Sequence, residues 1–241
     1  MRTWASLVGV WVLLVAGVAF ADDLTLRQRT TTTSGGHSLS REETQYAHGD
    51  LLVIDASDTR TIVDVGAKTM TVADKQKKTY FVMTFDDMRR QAEAVQARAD
   101  KMPPDVKKML DEMLGAGATI TLEPTGKHDT IAGYVANEYA LSGGPFRGSF
   151  WTTDAIALPE GVRKWRELSA SATAPASPAR QLAQALARVK GVPLRTGMAA
   201  TAGQGTFSTA SEVLEVSTKA PPADVLAVPP GFTQTPSPPL E

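Results

Sequence analysis

The chain has 241 residues, 25 basic against 26 acidic side chains, and no cysteine. The missing thiols exclude disulfides, thiol nucleophiles, cysteine metal sites and lipid attachment through an N-terminal cysteine. A formal charge of -1 offers no basic excess for phosphate recognition, so nucleic acid is not an expected partner, and nothing points to an anionic membrane surface.

The first predicted element is an export signal covering residues 1–21. Arg2 supplies the positive start, Leu7 to Phe20 is apolar, and Ala19-Phe20-Ala21 fits the small-x-small cleavage rule. The apolar run is shorter than the ~20 residues a bilayer-spanning helix needs. Cleavage after Ala21 would therefore leave no permanent membrane anchor, and a periplasmic or secreted location is expected. The remainder divides into one domain over residues 22–232 and a Pro-rich, disordered tail over 233–241.

A polar-apolar alternation with a threonine run predicts a first strand over Leu24 to Thr33, followed by a loop over Ser34 to Ser40 that carries His37. Further strands are expected at Thr44 to Ala47, Leu51 to Ala56, Thr61 to Val65, Thr69 to Ala73 and Thr79 to Thr84. At Thr84 the period changes from two to 3.6. Thr84 with Asp87 three residues on predicts a capped helix, whose stripe is Phe85, Met88, Ala92, Val95 and Ala99. Met102-Pro103-Pro104 stops it, and a second helix is expected to carry Val106, Met109, Leu110, Met113 and Leu114 on one face.

Ile120 and Leu122 lead into the most readable stretch, Thr125 to Asp154. Alternation over Tyr134 to Leu141, a reversal at Ser142-Gly143-Gly144-Pro145 and a return over Phe146 to Thr153 predict a hairpin, with Gly133 as a bulge or close backbone approach. A short helix with Val162, Trp165 and Leu168 follows, then an Ala/Ser/Pro linker and a helix over Ala179 to Val189. Val192 to Ala199 and Thr206 to Ser217 are the last expected strands.

Roughly ten strands joined by short turns must be antiparallel, because parallel neighbours need a long crossover. A sheet of that size curls and must cover its concave apolar face. The predicted class is α+β, mostly antiparallel: a curved, half-open β-barrel covered on its concave face by helices.

The motif order Gly126, Ile131-Ala132-Gly133-Tyr134, Tyr139, Trp151-Thr152 and Asp154, then Gly191-Val192-Pro193-Leu194 and Val228-Pro229-Pro230-Gly231-Phe232, resembles the bacterial lipoprotein-carrier (Lol) superfamily. It is closer still to the exported family called the domain of unknown function numbered 4412. The resemblance spans most of the mature chain and brings no catalytic residue. It implies a curved sheet, a helical lid and an apolar cavity that in the carriers holds acyl chains. The long Ala/Ser/Pro insertion and the helical pair over Phe85 to Leu114 depart from the carriers, so the client does not carry over.

Met70, Met83, Met88, Met102, Met109 and Met113 are six of the eight methionines. Methionine fills gaps in cores and also lines adaptable apolar surfaces, and both readings place these residues beneath the helices. Tyr134, Tyr139 and Trp151 serve equally as core or as a pocket rim. The candidate apolar cavity is accordingly Met83, Met88, Val95, Met109, Met113, Tyr134, Tyr139 and Trp151, for a lipid, an acyl chain or a hydrophobic client protein. His37, His48 and His128 have no metal-ligand spacing, so neither metal nor cofactor is expected. His128-Asp129 lacks a nucleophile context. The expected function is non-catalytic binding of an apolar ligand, the alternatives being a protein interaction module and an uncharacterised hydrolase.

Overall fold

A computed structural model describes residues 23–106, 119–144, 146–172, 181, 184, 185, 189, 191–202 and 205–237. The stretch read as an export signal and most of the second predicted helix, with Met109 and Met113, lie outside the described residues. So does most of the Ala/Ser/Pro linker.

Twelve strands form a single sheet: β1 (Asp23–Ser34), β2 (His37–His48), β3 (Leu51–Ala56), β4 (Thr59–Asp64), β5 (Thr69–Asp74), β6 (Thr79–Thr84), β7 (Thr121–Ile131), β8 (Tyr134–Gly143), β9 (Phe146–Thr153), β10 (Val192–Ala202), β11 (Gly205–Ser217) and β12 (Thr233–Gln234). Their spatial order is β12-β6-β5-β4-β3-β2-β1-β11-β10-β9-β8-β7. Two runs of sequentially adjacent antiparallel strands, β1 to β6 and β7 to β11, meet where β1 pairs with β11, from Thr25 opposite Ser217 to Ser34 opposite Phe207; a helix, Glu160–Ala172, lies in the connection from β9 to β10. All pairings are antiparallel except that of β12 with β6. The sheet remains open, with β12 and β7 at its edges.

The expected loop over Ser34 to Ser40 is mostly strand. Gly35 and Gly36 alone make the turn, and His37 already pairs with Ser34. Its polar composition reads as a loop because the β1–β2 ribbon projects into water, where hydroxyl pairs Thr31–Ser40 (3.1 Å) and Thr33–Ser38 (2.7 Å) replace an apolar face. Gly133 is likewise not a bulge. Ala132 and Gly133 both take positive φ, 50° and 86°, and form the two-residue turn between β7 and β8. The bulge in this region falls between Pro124 and His128 of β7.

Helix α1 (Phe85–Asp100) starts with the predicted cap: the Asp87 amide donates to Thr84 Oγ1 (3.0 Å) and the Thr84 amide donates back to Asp87 Oδ2 (3.0 Å). Its first turn is anchored, with Phe85 5.3 Å from the Trp165 ring, while Val95 further along is 54% exposed. Helix α2 (Glu160–Ala172) packs tightly at its start. A Cβ on Gly161 would run into the Gly49 carbonyl oxygen at the β2–β3 turn, and Lys164 bonds Asp50 at 3.0 Å on the same turn. Among the described residues no helix is long and apolar enough to cross a membrane.

After β11 the chain crosses behind the sheet. Arg60 of β4 is 8% exposed, donates twice to Asp55, and reaches the carbonyls of Asp224 (2.8 Å) and Ala227 (3.0 Å) in and beside a 3-10 turn, Ala223–Leu226. Val53, Ile62 and Ala73, in register on this face, are buried. The Thr233 amide then donates to Lys78 and the Thr235 amide to Tyr80, so the tail expected to be disordered beyond Phe232 begins as a strand on the β6 edge.

Candidate functional site

Side chains alternate across a strand, so the pairing register assigns each residue to a face. Leu24, Ala47, Leu52, Val63, Met70 and Met83 form one row across six strands on the inner face. The next row is Leu26, Gln45, Ile54, Thr61, Val72 and Phe81. Beyond it, Gln28 and Glu43 lie opposite one another, with Ala56 beside Glu43. Apolar character thus falls along the strand direction, from the α2 end toward the projecting β1–β2 ribbon.

Leu24, Ala47 and Leu52 of the first row and all of the second line a hollow of about 660 Å3. Its walls also take Val213 of β11, Leu194 and Met198 of β10 and Phe150 of β9, with Leu158 and Val162 from the chain entering α2. Phe81 and Phe150 sit eight strand spacings apart in the sheet, about 38 Å if it were flat at the usual 4.7–4.9 Å per strand. A single hollow touching both requires the sheet to curl. The volume lies in the range of ordinary small-molecule sites.

Two ion pairs, Arg41–Glu43 and Lys77–Asp74, lie in the wall of the hollow, and Asp58 lines it from the exposed β3–β4 turn. Glu43 is 7% exposed, and its Oε1 accepts from Gln28 Nε2 (2.7 Å) and Gln45 Nε2 (3.3 Å). Its Oε2 lies 3.3 Å from Arg41 Nη2 yet accepts no hydrogen bond. At the mouth, Lys77 bonds Asp74 at 2.7 Å, and that hydrogen bond, with the Lys77 amide, holds the Asp74 carboxyl below the usual carboxylate range.

The sequence-derived candidates are placed differently from one another. Met83 ends the apolar inner row, and its sulfur accepts from Gln91 of α1 at 3.7 Å. Tyr139 is on the inner face opposite Phe150 and packs in the same small cluster. Tyr134 and Trp151 are half-buried against the main core cluster, which includes Leu24, Leu52 and Leu194, and Arg195 stacks 5.6 Å above the Trp151 ring. Met88 and Val95 are on α1. None of these six lines the hollow. The residues that do, Leu24 to Thr32, Arg41 to Ala47 and Val192 to Met198 at alternate positions, give no sequence signal beyond ordinary strand alternation.

No catalytic arrangement is assembled at His128-Asp129. Asp129 is exposed and bonded to Arg195 (2.8 Å), which holds its carboxyl below the usual range, and to the Thr130 amide. His48 Nδ1 lies 2.5 Å from Asp23, and among the described residues no three ligating side chains are grouped as a metal site would need.

The sequence profile of the family described as Domain of unknown function (DUF4412) matches residues 37–232, and the chain belongs to that family. No curated protein matches. Similar solved structures include PNGF-II in a P21 crystal form, at TM-score 0.40 and 9% identity, covering 90% of this chain and 32% of that one. The chain thus spans about a third of that protein's length. Another is a DUF1329 family protein from Desulfovibrio piger ATCC 29098, at TM-score 0.33 and 10% identity, covering 84% of this chain and 88% of the other. A candidate outer membrane lipoprotein-sorting protein domain from Vibrio parahaemolyticus is similar at TM-score 0.34 and 10% identity, covering 85% and 89%.

Proposed function

We propose that the protein is an exported, non-catalytic carrier that shelters an acyl chain or comparable apolar group in the hollow of its curled sheet, with the start of α2 as cover. The observation that carries this reading is the hollow itself: about 660 Å3, with an apolar stretch of wall formed by Leu24, Leu26, Leu52, Leu194 and Phe150, and with threonine and other polar side chains making up much of the remainder. Burying apolar surface there gains roughly 25 cal/mol per Å2, so an acyl chain would be held without any specific polar contact. Met83 and Tyr139 back the lining from the same face, and the methionine-bearing stripe of α1 would extend the apolar surface once a ligand is seated. The export pattern at Arg2 to Ala21 supports a periplasmic or secreted site of action, where acylated clients are exposed to water.

An uncharged fluorophore such as N-phenyl-1-naphthylamine reports the site by its emission. Saturable binding to wild type, lost in Ala56→Trp, whose indole would obstruct the hollow, is the expected result. Equal binding by the two proteins, or none by wild type, would remove the proposal.

A further inference from the structure

The wall of the hollow changes character along its length, and the polar end is built rather than incidental. Gln28, Arg41, Glu43 and Gln45 all line the hollow from β1 and β2, and on the neighbouring β11 and β10 stand Ser211 and Thr196, whose hydroxyls bond each other at 2.7 Å. Glu43 is more than nine-tenths buried, and one of its oxygens accepts no hydrogen bond. An isolated buried carboxylate is costly, so Arg41 beside it is the compensation, and the pair is neutral as a unit. Of the other charged groups lining the hollow, Lys77 is taken by Asp74, and Asp58 lies on the exposed β3–β4 turn.

A charged head group seated beside Gln28 and Glu43 would therefore meet charges already paired with each other, the Asp58 carboxylate being left in water on the exposed turn, and would lose its own hydration. A head carrying hydroxyls or an amide finds both kinds of partner: donors on Arg41, Gln28 and Gln45, and the Thr196 and Ser211 hydroxyls, which both donate and accept. We infer that the ligand is a neutral amphiphile, an acylglycerol-like or N-acyl-amide head seated at Gln28, Arg41 and Glu43 with its chain running past Leu26 toward Leu52, Val162 and Leu194. This deepens the carrier reading and rests on it.

Competition against bound N-phenyl-1-naphthylamine by 1-monolauroylglycerol, laurate and dodecylamine, three probes with matched chains, tests the head group separately from the hollow. Wild type should favour the glycerol ester over both charged probes by about tenfold. Glu43→Gln leaves Arg41 without its counter-charge and should turn the preference toward laurate. Arg41→Gln, at a side chain 48% exposed and so tolerant of replacement, should turn it toward dodecylamine. Equal competition by the three probes in wild type, or variants that keep the wild-type order, would overturn the head-group assignment while leaving the hollow intact. Failure of the fluorophore itself to bind would instead remove the carrier reading, and this inference with it.

Discussion

Ala132 holds a left-handed φ of 50°, which an L-residue other than glycine or asparagine adopts at a cost. Asparagine before glycine is the favoured pair for such a turn, so Ala132→Asn is expected to stabilise the protein by about 0.5–1 kcal/mol in urea unfolding, and a loss would refute this account of the turn. Asp55 responds to pH. Its burial alone would raise the carboxyl pKa, but the bonds from Arg60 and Lys75 outweigh that and lower it. A carboxyl with a folded value below its unfolded one adds stability that is complete above the unfolded value and disappears as pH falls through the folded value. Wild type should therefore lose more stability than Asp55→Asn between neutral pH and the region below about pH 4, as measured by urea midpoints. Parallel pH profiles would contradict it. Arg60→Met should cost about 2 kcal/mol at neutral pH, less than a fully orphaned buried pair because Lys75 remains 2.8 Å from Asp55.

The elements were legible where local chemistry decides them. The cap formed by Thr84 and Asp87 announces α1, and the Gly/Asp breaks delimit β3 to β6. Two features were not legible. Ala132-Gly133 carries a non-glycine residue in a position that turn signals assign to glycine or asparagine, so the strand over Thr130 to Val135 reads as continuous. The outer part of the β1–β2 ribbon, from Thr31 to Ser40, lacks an apolar face, which makes its polar composition indistinguishable from a loop. The docking of α2 depends on one missing side chain, since any Cβ at Gly161 meets the Gly49 carbonyl. Gly161→Val should lift α2, shift the emission of Trp165 toward that of exposed indole and lower stability, whereas an unchanged spectrum would show that α2 is held elsewhere. At the other edge, a chain ending at Phe232 loses β12 and bares β6; increased self-association without loss of the main sheet is the expected outcome in sedimentation. A truncated protein that stays monomeric at all concentrations would show that β12 does not protect this edge.

At the scale of the whole molecule, curvature makes the site, and curvature comes from contacts that the sequence does not display. The hollow closes because β1 meets β11, pairing Thr25 with Ser217 across nearly the full length of the chain. Alternation shows two faces on each strand but not which one becomes concave, nor that the polar set Gln28, Glu43 and Gln45 falls on the same face as Leu24 and Leu52. The methionines between Met70 and Met113 attract attention by composition, yet the space is walled by ordinary strand residues. The most direct test of the account is to map where a ligand lies, using a monoacylglycerol with a photoactivatable diazirine in its chain and mass spectrometry of the labelled peptides. The account predicts adducts on the stretches holding Leu24 and Leu26, Leu52 to Ala56, and Val192 to Met198, abolished in Ala56→Trp. Adducts confined to α1 or to the stretches bearing Tyr134 and Trp151, or labelling that survives obstruction of the hollow, would contradict it.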